Sequence, residues 1–231
     1  MRLFKSFLFF LCLVSVSFQL NAQGGGKKSN SITRFFKKTP WTFNLGGHVV
    51  DDDGNPFNNL FNVGDSWNFL PYPSRIAIDG YVKKGWSIQG EFAYTKFTAG
   101  KTIQNEVIKG DYTFFSADVH VKYDLNEVIG DTHWFDPYLT AGYGYTNRNV
   151  VRNNGFILNP NTATANAGLG FNIWVYQNLG FNVQSIAKFA MQEGTSNYLH
   201  HSVGVIYRFE YGMGNRPGKL GKRYTFLKTT K

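Results

Sequence analysis

The chain has 231 residues, and 24 basic against 15 acidic side chains give it a formal net charge of +9. The positive charge lies at the two ends, because residues 23–39 and 211–231 contain basic side chains and no acidic ones. Residues 40–210 are net negative and offer no basic face for a phosphate backbone, which excludes nucleic-acid binding by this part. The single cysteine, Cys12, falls in a segment that we expect to be removed, so no disulfide is predicted.

The N-terminus has the organisation of a secretory signal peptide. Two basic residues precede an apolar run at 7–18, and Ala22 supplies a small residue for cleavage. The apolar run is shorter than the roughly 20 residues that a membrane-spanning helix needs. We therefore expect a signal peptide at 1–22, followed by a basic periplasmic segment at 23–39.

From residue 40 onwards the sequence repeats one pattern, in segments of about ten residues. Every second residue is apolar or aromatic, and the residues between are polar, charged or glycine. A period of two is typical of a β-strand whose two faces meet different surroundings. Eight segments show it: Trp41–Val50, Arg75–Lys83, Trp86–Thr95, Tyr112–Tyr123, Tyr138–Tyr145, Ala165–Ile173, Leu179–Phe189 and Leu199–Phe209.

Alternation alone fits a soluble β-sandwich as well as a membrane barrel. The polar faces, however, carry glycines and charges of both signs, as the narrow interior of a small barrel requires. Short connections also alternate with longer ones, which is typical of periplasmic turns and outer loops. The sequence therefore predicts an all-β fold, an eight-stranded antiparallel transmembrane β-barrel of up-and-down topology over 40–210. We expect it in the cell outer membrane, with short tails and both termini in the periplasm.

Two sets of barrel residues have predicted roles. The inward-facing charges are predicted to form a network that fills the lumen: Arg75, Asp79, Glu91, Asp118, Lys122, Lys188 and Arg208. Aromatic residues at one end of the strands are predicted to form the periplasmic half of an aromatic girdle at the lipid interface: Trp41, Trp86, Trp134, Trp174, Tyr207 and Phe209.

The glycine-spaced segments 137–145, 166–172 and 202–209 resemble those of small OmpA-like outer-membrane barrels. Residues 44–54 are similar to the barrel domains of OmpA-like proteins of the Bacteroidetes type. The resemblance implies the architecture rather than the role. The peptidoglycan-binding domain that is common in this family is not expected in the short segment after Phe209.

One pair of residues suggests lipid chemistry. His200 and Ser202 share a face of the last strand and are similar to the catalytic pair of outer-membrane lipid A deacylases. Their predicted direction is into the lumen, away from any lipid substrate. We therefore predict no catalytic residues, and we expect the protein not to be an enzyme.

A calcium loop is the other chemical candidate. Asp51, Asp53 and Asn55 alternate oxygen ligands, but Pro56 occupies the position where such a loop needs glycine. A solvated acidic loop is the favoured interpretation, and no metal or cofactor is predicted. The inward-facing histidines of the first and fourth predicted strands are interpreted as hydrogen-bonded lumen residues.

These features favour a structural or accessory subunit of an outer-membrane protein complex, in contact with lipid and with a protein partner. Residues 211–231 are interpreted as a basic tail that docks on the partner, through Arg216, Lys219, Lys222, Arg223, Tyr224 and Phe226. The alternative is a small pore or ligand conduit, although eight strands leave a lumen only wide enough for side chains. A lipid-modifying enzyme is the least favoured interpretation.

Overall fold

The computed structural model describes residues 40–54, 62–83, 85–130, 132, 134–148, 150, 161–176, 178–192 and 194–210. In chain order their elements are β1 (Pro40–Asp51), β2 (Trp67–Phe69), β3 (Arg75–Lys83), β4 (Trp86–Phe97), β5 (Thr102–Ile103), β6 (Glu106–Val107), β7 (Tyr112–Asp124), α1 (Asn126–Ile129), β8 (Phe135–Arg148), β9 (Asn161–Tyr176), β10 (Leu179–Ala190) and β11 (Tyr198–Glu210).

Eight long strands form one closed sheet. Each pairs antiparallel with the long strand before and after it in the chain, and β11 pairs with β1 to complete the ring. The closing register runs from Pro40 opposite Glu210 to Asp51 opposite Leu199. The predicted eight-stranded antiparallel barrel is therefore confirmed. We call the end that holds Pro40 and Glu210 the terminal mouth, and the opposite end the distal mouth.

The two faces of each long strand differ sharply in chemistry. Along β4, for example, Trp86 and Ile88 are exposed on the exterior, whereas Ser87 and Gln89 are buried inside. Most buried side chains of the barrel are polar or charged, and its exposed large side chains are apolar. A soluble protein has the reverse arrangement, and this one suits a barrel surrounded by lipid.

Glycine is needed inside the ring where neighbouring strands approach closely. A Cβ added to Gly142 on β8 would collide with the backbone oxygen of Val119 on β7. The glycines between the apolar residues of this strand therefore let the sheet curve tightly enough to close.

The long strand β3 has its predicted bounds, whereas the other long strands extend further than the sequence predicted, most clearly β8 and β9. The predicted ends at Tyr138 and Ala165 fell short because polar or proline residues interrupt the apolar pattern there, while backbone pairing continues. The short elements β2, β5, β6 and α1 were not predicted, since none is long enough to show a period.

The distal mouth is covered by a small apolar cluster. Its buried side chains come from the distal ends of the strands and from the connections between them: Val50, Phe97, Ile103, Ile108, Phe114, Val150 and Tyr198. The β5–β6 hairpin joins it through backbone bonds, with Gln104 N donating to Asp52 O and Asn105 N donating to Asp53 O, both at 3.0 Å. An apolar cluster is thus added to the polar packing of the barrel at this end.

Candidate functional site

The middle of the lumen is occupied by a buried ion pair between neighbouring strands. Arg75 Nη2 on β3 donates to Glu91 Oε2 on β4 at 2.6 Å, and neither side chain is exposed. Gln184 Nε2 donates to the same carboxylate oxygen at 3.2 Å, and His200 Nδ1 lies 3.4 Å from Glu91 Oε1. Four strands therefore converge on one carboxylate.

A second buried pair crosses the lumen between strands that are not neighbours. Lys188 Nζ on β10 donates to Asp118 Oδ2 on β7 at 2.6 Å, again with no exposure of either side chain. Asn166 Nδ2 donates to Asp118 Oδ1 at 3.0 Å. Gly144, opposite Asp118 in the register, leaves the space for this carboxylate, because an added Cβ would collide with Asp118 Oδ1.

Two further basic residues lie closer to the terminal mouth. Lys122 Nζ donates to Asp79 Oδ2 at 2.5 Å and lies 3.9 Å from the centre of the Tyr138 ring. Arg208 Nη2 lies 3.8 Å from Asp136 Oδ2. These contacts extend the charged packing of the lumen towards the terminal mouth.

The structure thus brings six of the seven predicted lumen charges together as three pairs. Arg208, the seventh, contacts Asp136, which the sequence analysis did not single out. Also not singled out were the neutral residues that link the pairs, among them Tyr138, whose hydroxyl donates to Gln184 Oε1 at 2.8 Å. Their inward position on the alternating pattern was the available signal.

A third buried ion pair lies at the distal mouth. Asp52 is the first residue after β1, and its Oδ2 accepts a hydrogen bond at 2.5 Å from Arg148 Nη1 at the end of β8. Ser196 Oγ donates to the other Asp52 oxygen. Burial raises the pKa of the Asp52 carboxyl, although the Arg148 charge and the Ser196 hydrogen bond both oppose the rise. The pair links the end of β8 to the residues that follow β1 across the distal mouth.

Only part of the acidic loop after β1, the calcium candidate of the sequence analysis, lies within the described residues. Asn55 and Pro56 lie outside the described residues. Asp51 Oδ1 accepts from Ser66 Oγ at 2.5 Å, and its Oδ2 accepts from Trp67 Nε1 at 3.1 Å. Among the residues that the structure describes, no group of three or more His, Cys, Asp or Glu side chains is arranged to hold a metal ion.

The aromatic residues predicted as a girdle do lie at the terminal mouth, and most face the exterior. Trp86, Trp134, Tyr207 and Phe209 are exposed there, and Trp41 stands opposite Phe209 in the β1–β11 register. Their role at a lipid interface stays a prediction.

For Trp174 the girdle prediction is wrong. Its Nε1 donates to Asp136 Oδ2 at 2.5 Å, and the Arg208 guanidinium lies 3.8 Å from the centre of its ring. Both partners belong to the lumen, so the indole packs inside the terminal mouth. The partly buried indole N–H is satisfied by a carboxylate, which the lipid face does not offer.

His200 and Ser202 both point into the lumen and are buried, as the sequence predicted. The His200 ring packs edge-on against His48, with 4.8 Å between ring centres, and Ser202 Oγ has no hydrogen-bond partner within the described parts of the chain. His120 Nε2 lies 3.1 Å from Asn166 Nδ2. The His200–Ser202 pair is therefore not arranged as a nucleophile and its base.

The remaining predictions concern segments outside the described residues. These are the signal peptide at 1–22, the basic segment at 23–39 and the tail at 211–231 with its six proposed docking residues. In the described residues, no helix is long and apolar enough to cross a membrane.

Comparison with known proteins supports the fold. Outer membrane protein OprG from Pseudomonas aeruginosa superposes with a TM-score of 0.50 at 12% identity, over 75% of this chain and 97% of that one. Neisserial surface protein A gives 0.48 at 14% identity, over 75% and 97%, and Outer Membrane Protein W of E. coli gives 0.44 at 14%, over 75% and 99%. No family model and no curated protein sequence matches the chain. At these identities the likeness concerns the fold alone, which is that of a small eight-stranded outer-membrane β-barrel.

Proposed function

We propose that the protein is a non-conducting barrel of the bacterial outer membrane that serves as a structural or accessory subunit of a protein complex. The observation that carries the proposal is the filled lumen, in which Arg75–Glu91 and Lys188–Asp118 are buried ion pairs. An ion would have to separate charges that hold one another at 2.6 Å, within a low-dielectric wall. A barrel closed in this way has no open path for ions, so we infer that it acts through the surfaces it presents to other molecules.

The apolar exterior supports the location in a membrane, because its large side chains are exposed along every long strand. Pro40 and Glu210 pair at the same mouth, so both tails would leave the barrel on one side. The exposed aromatic residues of that mouth suit a membrane interface. We assign the terminal mouth to the periplasm and group the protein with OmpA-like barrels, and both assignments are part of the proposal.

The tail at 211–231 supplies the proposed docking segment. This tail has six basic side chains and no acidic one, and the basic residues are interleaved with Tyr224 and Phe226. Such an alternating basic segment suits the addition of a strand to the sheet edge of an acidic partner. Attraction to anionic headgroups is the competing explanation, worth about 1 kcal/mol for each basic residue near such a surface.

A small pore is the second candidate function, because the lumen is lined by polar side chains that water could solvate if the pairs separated. Planar bilayers decide between the two. We expect the purified protein to show no conductance steps above those of the bare bilayer. Reproducible steps on the nanosiemens scale, kept when the tail is removed, would establish the pore and refute the closed barrel.

The docking tail is tested by truncation after Tyr211. The shortened chain should still fold and insert, because Phe209 and Glu210 complete the pairing of β11 with β1, but it should lose the proteins that copurify with the full-length chain in mild detergent. A full-length variant with Tyr224→Ser and Phe226→Ser keeps the positive charge; it should also lose the partners if the tail adds a strand, and keep them if charge alone holds them. Retention of every partner by the truncated barrel would refute docking by the tail.

A further inference from the structure

Ser185 and His201 form a hydrogen-bonded pair of polar side chains on the exterior that the proposed function does not use. Ser185 on β10 stands directly opposite His201 on β11. Ser185 Oγ and His201 Nδ1 are 2.9 Å apart, and the contact is partly buried. The alternation puts both on the outer face, since their chain neighbours Gln184 and His200 are buried in the lumen.

The neighbours of this pair along the two strands are apolar. The outward-facing residues next to it are Val183 and Ala187 on β10, and Leu199 and Val203 on β11. A polar or ionisable side chain that faces hydrocarbon is costly, and such residues commonly mark functional sites. Ser185 and His201 are two such residues in direct register, and the packing of the barrel does not require a polar pair at this place.

Further side chains from the distal end hold the histidine. The Trp67 ring lies 5.5 Å from the His201 ring, and Trp67 Nε1 is anchored on the Asp51 carboxylate. The negative charge of Asp51 also acts on His201. On β1, Gly47 leaves open space on the same outer face, because a Cβ there would meet nothing within 4 Å.

We propose that Ser185 is a nucleophile and His201 its general base for the hydrolysis of acyl esters in lipids of the surrounding leaflet. The proposal rests on the membrane location given under the proposed function. A serine hydroxyl is a weak nucleophile until a hydrogen-bonded imidazole takes its proton. In the tautomer that is protonated at Nε2, Ser185 Oγ–H donates to His201 Nδ1. The pair faces lipid, so an ester of a lipid is the substrate class within its reach.

The reaction balances with water as the co-substrate. Ser185 Oγ bonds to the acyl carbon while its proton passes to His201, and the ester C–O bond breaks as His201 gives that proton to the departing alkoxide. Water then attacks the acyl-serine and loses a proton to His201. The free fatty acid leaves as Ser185 Oγ takes that proton back. The products are one alcohol and one fatty acid for each ester and water consumed.

A covalent probe tests the activated serine. The full-length protein and its variants are inserted into phosphatidylethanolamine vesicles and exposed to a fluorophosphonate. We expect Ser185→Ala to abolish labelling and His201→Phe to slow it by about 10² to 10⁴-fold, the usual contribution of a general base. The control is Ser202→Ala, which lies on the lumen face of β11 and should react at the wild-type rate. Equal labelling of wild type and Ser185→Ala would overturn the proposal.

The substrate is tested by mass spectrometry of released fatty acids. Vesicles of phosphatidylethanolamine alone and vesicles that also contain lipopolysaccharide distinguish the two sources of acyl ester, and Ser185-dependent release from either supports the proposal. Insertion is scored separately by the heat-dependent shift in gel mobility of folded barrels. Inserted protein without Ser185-dependent release overturns this inference alone, whereas a chain that does not insert overturns the membrane location as well.

Discussion

Replacing Lys188 with methionine is expected to destabilise the barrel strongly. The substitution keeps most of the side-chain volume but leaves Asp118 as a buried carboxylate, whose remaining hydrogen-bond partner within the described parts of the chain is the Asn166 amide. Removing one member of a fully buried ion pair costs about 3 to 5 kcal/mol. Replacing both members, as Lys188→Met with Asp118→Asn, removes the orphaned charge, and we expect it to recover about 2 kcal/mol of the loss.

The assay is equilibrium unfolding in urea from phospholipid vesicles, followed by tryptophan fluorescence. Lys96→Met is the matched control, because Lys96 is exposed on β4 and should change the free energy of unfolding by less than about 0.5 kcal/mol. The double variant identifies the cause of the loss. If Lys188→Met costs no more than the control, or if adding Asp118→Asn gives no recovery, the interpretation of the pair as a buried charge contact is refuted.

Three further results are expected. Gly142→Val should prevent refolding, measured by the gel-mobility shift, because its Cβ would collide with the Val119 backbone oxygen; normal refolding would contradict the close approach. A membrane-impermeant maleimide should label Gly64→Cys but not Val128→Cys on intact cells, since the two lie at opposite mouths; the reverse pattern would invert the proposed orientation. Deleting 211–231 should leave the urea midpoint unchanged, and a lower midpoint would show that the tail stabilises the barrel.

The sequence was sufficient for the fold because one rule operates along the whole barrel. A closed membrane sheet has lipid on one side and packed side chains on the other, so each strand must alternate. That rule identified all eight long strands. It did not give their ends, since at the distal mouth Asn161 and Thr162 still pair with β8 and still alternate between the outer and inner faces, although both are polar and no longer show the apolar pattern.

The lumen residues could be predicted as a set but not as pairs. Arg75 and Glu91 lie on neighbouring strands two positions apart in the register, so a correct hairpin register would have matched them. Lys188 and Asp118 lie on strands that do not touch in the sheet, and their contact depends on how far the strands tilt around the axis. Alternating sequence carries no information on that tilt.

The assignment of Trp174 failed for a different reason. Its position near the terminal mouth suggested an interface residue, but the alternation that places Asn172 inside also places Trp174 inside. The position along the strand was given more weight than the face. The Arg208 guanidinium and the Asp136 carboxylate explain the outcome, because together they offer the indole a stacking surface and an acceptor.

The histidine doublet in β11 shows how one residue of register changes the chemistry of the same side chain. His200 points into a lumen rich in charges, where Glu91 and His48 are its neighbours and a polar ring is ordinary filling. His201 points the other way, to a face where hydrogen-bonding partners are scarce and a polar ring is costly. Ser185 on β10 stands directly opposite His201 in the register and offsets part of that cost through a hydrogen bond. A histidine with a serine partner on the lipid side therefore needs an explanation that the lumen histidine does not, and this is why the covalent probe is aimed at Ser185 rather than at Ser202.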